Sequence, residues 1–316
     1  MAPKLLLAFL NYNTSDELRG ALGSLKDAGR GVNYDLLIID NASPSPGERE
    51  RLAELKGGSE LLMLPENLGF AGAFNKALSR EGYDYILLLN SDLILPADFL
   101  KDLLNEAEKI KSFGLGSVSF TREDGSPQFS YGPVPTLASE LINRSLYQKR
   151  YRRSHPAGNE PLEVESLLGA VMLVSSGAVR KAGPLDDRFF FFFEETEWCC
   201  RMRDNGFKVV HFPNIKATHL QGRAANKVPL KARIEFHRSR KLFFLLRYGA
   251  FALFLLNAGV FLRTFINLLS YALATAFTLG RKEKIRSKAK LYAGLFSWYL
   301  RGCPDSEGLR GAACRK

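Results

Sequence analysis

Little in this chain can build a disulfide framework, a zinc site or an export signal. Its 316 residues include only four cysteines, Cys199, Cys200, Cys303 and Cys314; two are adjacent and none forms a C-x-x-C pair. Reduced thiols in a cytosolic compartment are the expectation, not a disulfide scaffold or a zinc ribbon. The opening MAPKLLLAFLNYN has an apolar run too short for a signal peptide, so export is not expected. Internal repeats and low-complexity tracts are also missing, and the composition is neither collagen-like nor that of a disordered chain.

What is present is a globular composition, 46% apolar and 24% charged. The length suits about two domains, or one large α/β domain with an appendage. The net charge is +11 and unevenly spread. From Gln221 onward there are 19 Lys/Arg against 4 Asp/Glu, whereas the first 220 residues hold 25 against 29. A nucleic-acid enzyme tends to be basic around its working cleft. Here the basic excess flanks the most apolar stretch of the chain, which points to a membrane surface and not to nucleic acid.

Short apolar runs alternate with amphipathic stretches. KLLLAFL, YDLLIID, SELLMLP, YDYILLLN and GLGSVSF read as strands. Helices are expected over SDELRGALGSLKDAG, with Ser15 or Asp16 near its N-cap, over GAFNKALSREG, and over PADFLKDLLNEAEKI, with Pro96 at its start. Continuous apolar strands separated by helices indicate a mostly parallel sheet covered on both faces. Residues 121–163 read as a long excursion with a short helix around 137–151. ESLLGAVMLVSS and FKVVHFP resume as strands around a helix, EETEWCCRMRDNG.

Open parallel sheets bind ligands at the carboxyl ends of their strands. Four such ends carry polar residues: Asn11, Tyr12 and Asn13; Asp40, Asn41 and Ser43; Glu66, Asn67 and Gly69; and Asn90, Ser91 and Asp92. One such end is ordinary turn chemistry. Four together favour a single polar ligand site. Asp40 suits a ribose or a base N–H, and Gly69 permits close backbone approach, with Phe70 packed beneath. Asp92 suits Mg²⁺ or Mn²⁺ bridging a diphosphate, its alternative being a helix cap or turn residue before Pro96.

A second cluster is FFFFFEETEWCCR, where Glu194, Glu195 and Glu197 open a helix. They either compensate the helix dipole, or one is a proton acceptor beside the hydrophobic wall of Phe189 to Phe193. His211 reads as structural. His219 is a candidate metal ligand with Asp92.

These motifs resemble inverting family-two glycosyltransferases of the GT-A fold, in the bacterial rhamnosyltransferase-like branch. The matching segments are LNYNTSDEL, LIIDNASP, ENLGFAGAFNKAL, YILLLNSD, LLGAVMLV, GPLDDRFFFFFEETEWCCRM, HFPNIKATHLQG and HRSRKLFFLLRYG, in the family's order. The resemblance implies that Asn11, Tyr12, Asp40 and Asn67 line a nucleotide pocket, with Gly69 and Asn90 beside them. Asp92 is implied as the ligand of a D-x-D element whose first place is Asn90. Glu195 is implied as the catalytic base, where Asp is more usual, with Glu194 the weaker candidate. His219 is implied as a further ligand of Mg²⁺ or Mn²⁺. The donor is then a nucleotide-diphosphate sugar and the acceptor a glycan or lipid-linked hydroxyl. A nucleotidyltransferase would show a Gly- and Arg-rich loop that NYNTSDE lacks. A catalytically inactive, membrane-associated nucleotide-sugar-binding protein is the other alternative, against which the retention of Asp92, Glu195 and His219 argues.

The expected organisation is a catalytic domain over 1–235, with a nucleotide-sugar half of about 1–120 and an acceptor half of about 160–235. A membrane-associating helical region over 236–300 and a disordered tail over 301–316 complete it. Within 248–280 the only charge is Arg263. Basic residues lie on both flanks, so the positive-inside tendency keeps both on one side of the membrane. A hairpin of 248–262 against 264–280, dipping into the cytoplasmic leaflet, satisfies this; a buried helical pair is the alternative. Oligomeric state and donor sugar are not legible.

Overall fold

Four of the apolar runs form the parallel side of one sheet. In the computed structural model, which describes residues 2–156, 158–220 and 228–310, β1 (Leu5–Asn11) pairs in parallel with β2 (Tyr34–Asp40) and β4 (Tyr85–Asn90), and β2 with β3 (Glu60–Met63). Leu7, Ala8, Phe9, Leu87, Leu88 and Leu89 are wholly buried. Strands covered on both faces need no polar alternation, which is why their sequence is a continuous apolar run. α1 (Ser15–Ala28) covers the sheet with Leu18, Ala21 and Leu25. α3 (Gly69–Leu78) does so with Ala73, Phe74 and Ala77.

Beyond β4 the pairing changes. β11 (Val171–Ser175) runs antiparallel between β4 and β6 (Phe113–Thr121); β12 (Lys208–His219) lies parallel to β6. β5 (Leu93–Ile94) closes the path antiparallel to β12. The result is a ten-stranded mixed sheet in the order β3-β2-β1-β4-β11-β6-β12-β5. β7 (Pro127–Gln128) and β9 (Leu162–Glu163) pair at its side, and β8 (Tyr131–Gly132) and β10 (Ser166–Leu167) form a separate two-stranded sheet. The parallel expectation thus describes the N-terminal side, and the antiparallel pairs come from the later strands.

Several local readings shift. α2 (Glu48–Leu55) has no signal in the hydrophobic pattern, since only Glu48 and Leu52 are buried. α4 (Phe99–Glu108) begins after Pro96, because Asp98 is left-handed. Thr14, and neither Ser15 nor Asp16, holds the N-cap position of α1. The single short helix expected near 137–151 is two, α5 (Leu137–Leu141) and α6 (Arg144–Ser154). α7 (Ser176–Ala182) and α8 (Glu194–Asp204) complete the helices up to β12.

The chain divides into two units. One comprises Met1–Val134, Tyr147–Phe189 and Glu194–Arg223; the other comprises Pro135–Leu146, Phe190–Phe193 and Ala224–Lys316. The expected boundary at 235/236 is therefore corrected. The C-terminal unit begins earlier and takes in two segments from the middle of the chain, because their side chains pack there. Tyr248 donates a hydrogen bond to the Pro135 carbonyl at 2.8 Å, Arg240 meets Glu140 at 3.0 Å, and Phe236 packs on Phe192 and Phe193.

Within this unit α9 (Pro229–Phe277) breaks at Gly249, whose φ of 80° is left-handed, and α10 (Glu283–Leu300) folds back on it. Tyr271 stacks on Tyr292, and Phe261 and Phe265 meet Phe296. The hairpin arms are thus 250–277 and 283–300, not 248–262 and 264–280. Arg263 lies within the continuous helix, as a good helix former can, and its guanidinium reaches the Leu141 carbonyl. The expected disordered tail is corrected over 301–310. Arg238 donates to the Glu307 carbonyl at 2.7 Å and Arg301 pairs with Glu307 at 2.7 Å. Residues 311–316 lie outside the described residues.

α9 is the one described helix long and apolar enough to cross a membrane. Phe251, Phe254, Leu262, Leu273 and Phe277 on it are exposed. That is an unusual share of large apolar surface for water.

Candidate active site

The carboxyl ends of β1 and β2 are joined by a buried network. Asn11 donates through Nδ2 to Asp40, Ser43 and Glu48 at 3.1–3.2 Å, and accepts from Thr14. Asp40 also accepts from the Ser43 backbone and lies 3.7 Å from Arg49. Asn11 and Asp40 are both wholly buried. Glu48 completes the cluster, accepting from the Ser15 backbone and hydroxyl and from Arg51. Burial alone would raise the Glu48 carboxyl, but these hydrogen bonds outweigh it and hold it below its ordinary value. The network fixes the loops after two strands.

The next loop is clamped in the same way. Asn41 donates to Asn67 and to the Gly69 carbonyl, and accepts from the Leu68 backbone. Asn67 accepts from the Gly69 N–H at 2.9 Å. Gly69 has a φ of 73°, a conformation that favours glycine. Tyr12 is exposed beside this framework, at 38%. Of the nucleotide-pocket candidates, then, Asn11 and Asp40 turn inward, Asn67 and Gly69 shape a loop, and Tyr12 is open to solvent.

The β4 end is built differently. Pairing of β5 with β12 sets Leu93 opposite His219, and the Leu220 N–H donates to the Asp92 carbonyl. This brings the His219 Nε2 to 3.3 Å from the Asp92 Oδ1. Gln128 on β7 reaches the other ring nitrogen, its amide nitrogen 3.0 Å from His219 Nδ1. Its amide oxygen is buried with no hydrogen-bond partner. Turned over, the same amide would accept from an Nδ1–H and leave Nε2 free to ligate. Side-chain amides are easily exchanged in this way. The donors fit a divalent cation that takes one carboxylate, one imidazole and substrate or water oxygens. Among the described residues no cluster of three or more His, Cys, Asp or Glu forms a closed metal cage.

Asn90 donates its backbone N–H to the Ala170 carbonyl at 3.0 Å. The preceding Gly169 is where α8 comes close, since a Cβ there would meet the Glu195 side chain at 3.5 Å and Phe70 at 3.6 Å. Glu195 is half-buried and Glu194 buried. Glu197 is bound to Arg201 by a two-pronged pair at 2.8–2.9 Å, so it serves α8 itself. Of the five phenylalanines before the acids, two have an unusual backbone. Phe192 and Phe193 are both left-handed, with φ of 72° and 69°, and pack on Phe236, and Phe193 also on Phe243. Glu195 and the Phe70 ring both approach Gly169.

His211 is structural, as its sequence position suggests. It is buried, packs on Tyr131 and lies 3.2 Å from Ser119, and burial lowers its pKa to about 4. Burial likewise pushes the Cys199 thiol up, which suits an inert core cysteine. Gln128 and Glu48 are the residues that sequence reading misses. Gln128 lies on a two-residue strand inside the excursion, and Glu48 in a polar helix without periodicity.

Comparison with known proteins gives this geometry relatives. Residues 9–157 match the Glycosyl transferase family 2 model. An N-acetylglucosaminyl-diphospho-decaprenol L-rhamnosyltransferase of Mycobacterium tuberculosis is 23% identical over 77% of this chain and 84% of its own length. The dTDP-rhamnosyl transferase RfbF of Shigella flexneri is 24% identical over 68% and 71%. Among solved structures, GalNAc-T7 with UDP, GalNAc and Mn²⁺ superposes with a TM-score of 0.57 at 14% identity, over 78% of this chain and half of that one. Over residues 9–157 the chain thus resembles Glycosyl transferase family 2, on a GT-A fold, and it is rhamnosyltransferase-like.

Proposed function

We propose that the protein transfers a sugar, rhamnose in the first instance, from a nucleotide-diphosphate donor to the hydroxyl of a lipid-linked glycan, with inversion. The observation that carries this reading is the meeting of Asp92 and His219 at 3.3 Å on the edge that also holds Asn90. The relatives support the sugar and the setting. One acts on a decaprenol-linked diphosphate and another is named for dTDP-rhamnose.

In this reading the β1–β2 network holds the nucleotide loops in place, and Tyr12 offers a ring for the base. Asn67 and Gly69 present the backbone to the diphosphate, and Asn90 lies beside it. Asp92 and His219 would hold Mn²⁺ or Mg²⁺, which would offset charge on the leaving diphosphate. Glu195 accepts the proton of the acceptor hydroxyl as it attacks the anomeric carbon. Its position beside Gly169 and Phe70 and its partial exposure favour it over buried Glu194. General-base assistance of this kind is worth ~10²–10⁴ in rate. A single displacement needs no enzyme nucleophile and inverts the anomeric centre.

The exposed apolar side of α9 and its basic flanks support attachment to the cytoplasmic face of the membrane without crossing it. A straight crossing by 250–277 would leave Arg263 near mid-bilayer, at ~2.5–3.5 kcal/mol. The deciding experiment is a screen of nucleotide sugars for Mn²⁺-dependent donor hydrolysis and transfer, with the anomeric product read by NMR. Turnover of dTDP-rhamnose with inversion is expected. Binding without turnover of any donor would leave only the inactive-binder alternative.

A further inference from the structure

The C-terminal unit contains a cavity of about 200 Å³ between α9 and α10. Arg233, Arg240 and Arg263 line it, with Asn267 from α9 and Tyr292 from α10. Three guanidinium groups around one cavity repel one another unless anions lie among them. The structure supplies one such anion, Glu140, which meets Arg240 at 3.0 Å. Arg233 and Arg263 form no ion pair among the described residues. Arg240 is buried, and its Nε–H has no hydrogen-bond partner.

A buried histidine lies beside these arginines. His237, also on the lining, is buried and takes a hydrogen bond from Arg240 on Nδ1 at 3.0 Å. Burial, then Arg240, Arg233 and Lys241, push its pKa well down, so it adds no charge. The cavity is thus cationic through its arginines alone, and these keep their charge at any working pH.

Part of the lining is apolar, with Phe236, Val260 and Leu295, and α9 also has an exposed apolar face. Leu262 and Ile266, beside Arg263 on α9, are 56% and 52% exposed, and Leu269 is exposed one turn on. The volume is several times the ~30 Å³ share of one water, so it has room for more than a simple ion. A free phosphate would gain from the arginines but not from the exposed apolar face of α9. A prenyl diphosphate would use both. We infer that this cavity is the seat of the diphosphate of a prenyl-diphosphate-linked acceptor, with the prenyl chain lying along the exposed face of α9.

The inference rests on the lipid-linked acceptor proposed above and adds where the acceptor's anionic group binds. Phe236, another lining residue, packs on Phe193, the residue immediately before Glu194 in the chain.

The test uses the full chain in detergent micelles, with calorimetric titration of farnesyl diphosphate, farnesol, inorganic diphosphate and phosphatidylglycerol. Farnesyl diphosphate is expected to bind tightest. Arg233→Gln, at an exposed position, should weaken it by ~10-fold, the loss of about one charge-assisted hydrogen bond, with farnesol binding and Tm unchanged. Arg263→Gln should weaken it as much or more. Because Arg263 also holds the Leu141 carbonyl, Arg233→Gln remains decisive if that variant folds poorly. Equal binding of farnesyl diphosphate by wild type and Arg233→Gln would overturn the inference. So would equal affinity for phosphatidylglycerol, which would mark a general head-group site, or for inorganic diphosphate, which would mark a free-anion site. Donor hydrolysis by the wild type is measured in parallel. Its absence would sink the transferase reading while a diphosphate effect in Arg233→Gln stood, and the converse result would sink the cavity alone.

Discussion

The two polar strand ends contrast. At β1 and β2, Asn11, Asp40, Ser43 and Glu48 are buried and bonded to one another. At β4 and β12, Asp92 and His219 lie together at a partly open edge, and the Gln128 behind them has an amide oxygen without a partner. A satisfied buried network rigidifies, whereas an unsatisfied buried atom marks a place where something else is expected to bind or turn. The first end is therefore a frame, and the second is where chemistry is expected. Substitutions at the second should cost activity with the fold intact; those at the first should cost stability.

The largest expected effect is at Asp92. Asp92→Ala should abolish transfer while the far-UV spectrum and Tm stay close to wild type. Activity within tenfold of wild type would place the cation elsewhere. Next is Glu195→Gln, which keeps shape but cannot take a proton. Transfer should fall by ~10²-fold or more with donor affinity unchanged. If Glu194→Gln is the crippled variant instead, the two glutamates exchange roles. Gln128→Leu comes third. It removes the orienting amide behind His219, and Mn²⁺ affinity, read by titration without substrate, should drop by ~10-fold. An unchanged affinity would make Gln128 a packing residue.

The smallest effect tests the frame. Glu48→Gln should cost about 1–3 kcal/mol of stability at neutral pH. Because the folded carboxyl lies below its ordinary 4.5, that contribution is full above 4.5 and is lost as pH falls through the lowered value. Melting curves of wild type and variant should therefore converge in acid. A gap that persists there would show that shape, and not ionisation, sets the cost.

The same contrast explains what the sequence discloses. Asn, Asp and Gly after an apolar run announce a strand end, because the backbone must turn there and needs polar partners. That much located Asp40, Asn67, Gly69, Asn90 and Asp92. It does not distinguish Asp40, which faces inward, from Asp92, which faces His219, since both follow the same kind of run. The difference lies in what the distant β12 and β7 bring to Asp92. Long-range pairing of short strands leaves no local period, so Gln128 is silent in the sequence. Glu48 is silent for another reason: its helix buries one apolar residue and has no stripe to read. Arg263 reads as an interruption of an apolar helix, but its side chain belongs to a cavity made by two helices.

The paired left-handed phenylalanines restrict which residues can replace them. Valine and isoleucine are as apolar as Phe192 and Phe193 but are barred by branching at Cβ, which positive φ does not tolerate. Glycine is at ease at such angles but has no ring to set against Phe236. Few residues meet both demands, so a stretch that looks like the most interchangeable run in the sequence should be among the least permissive.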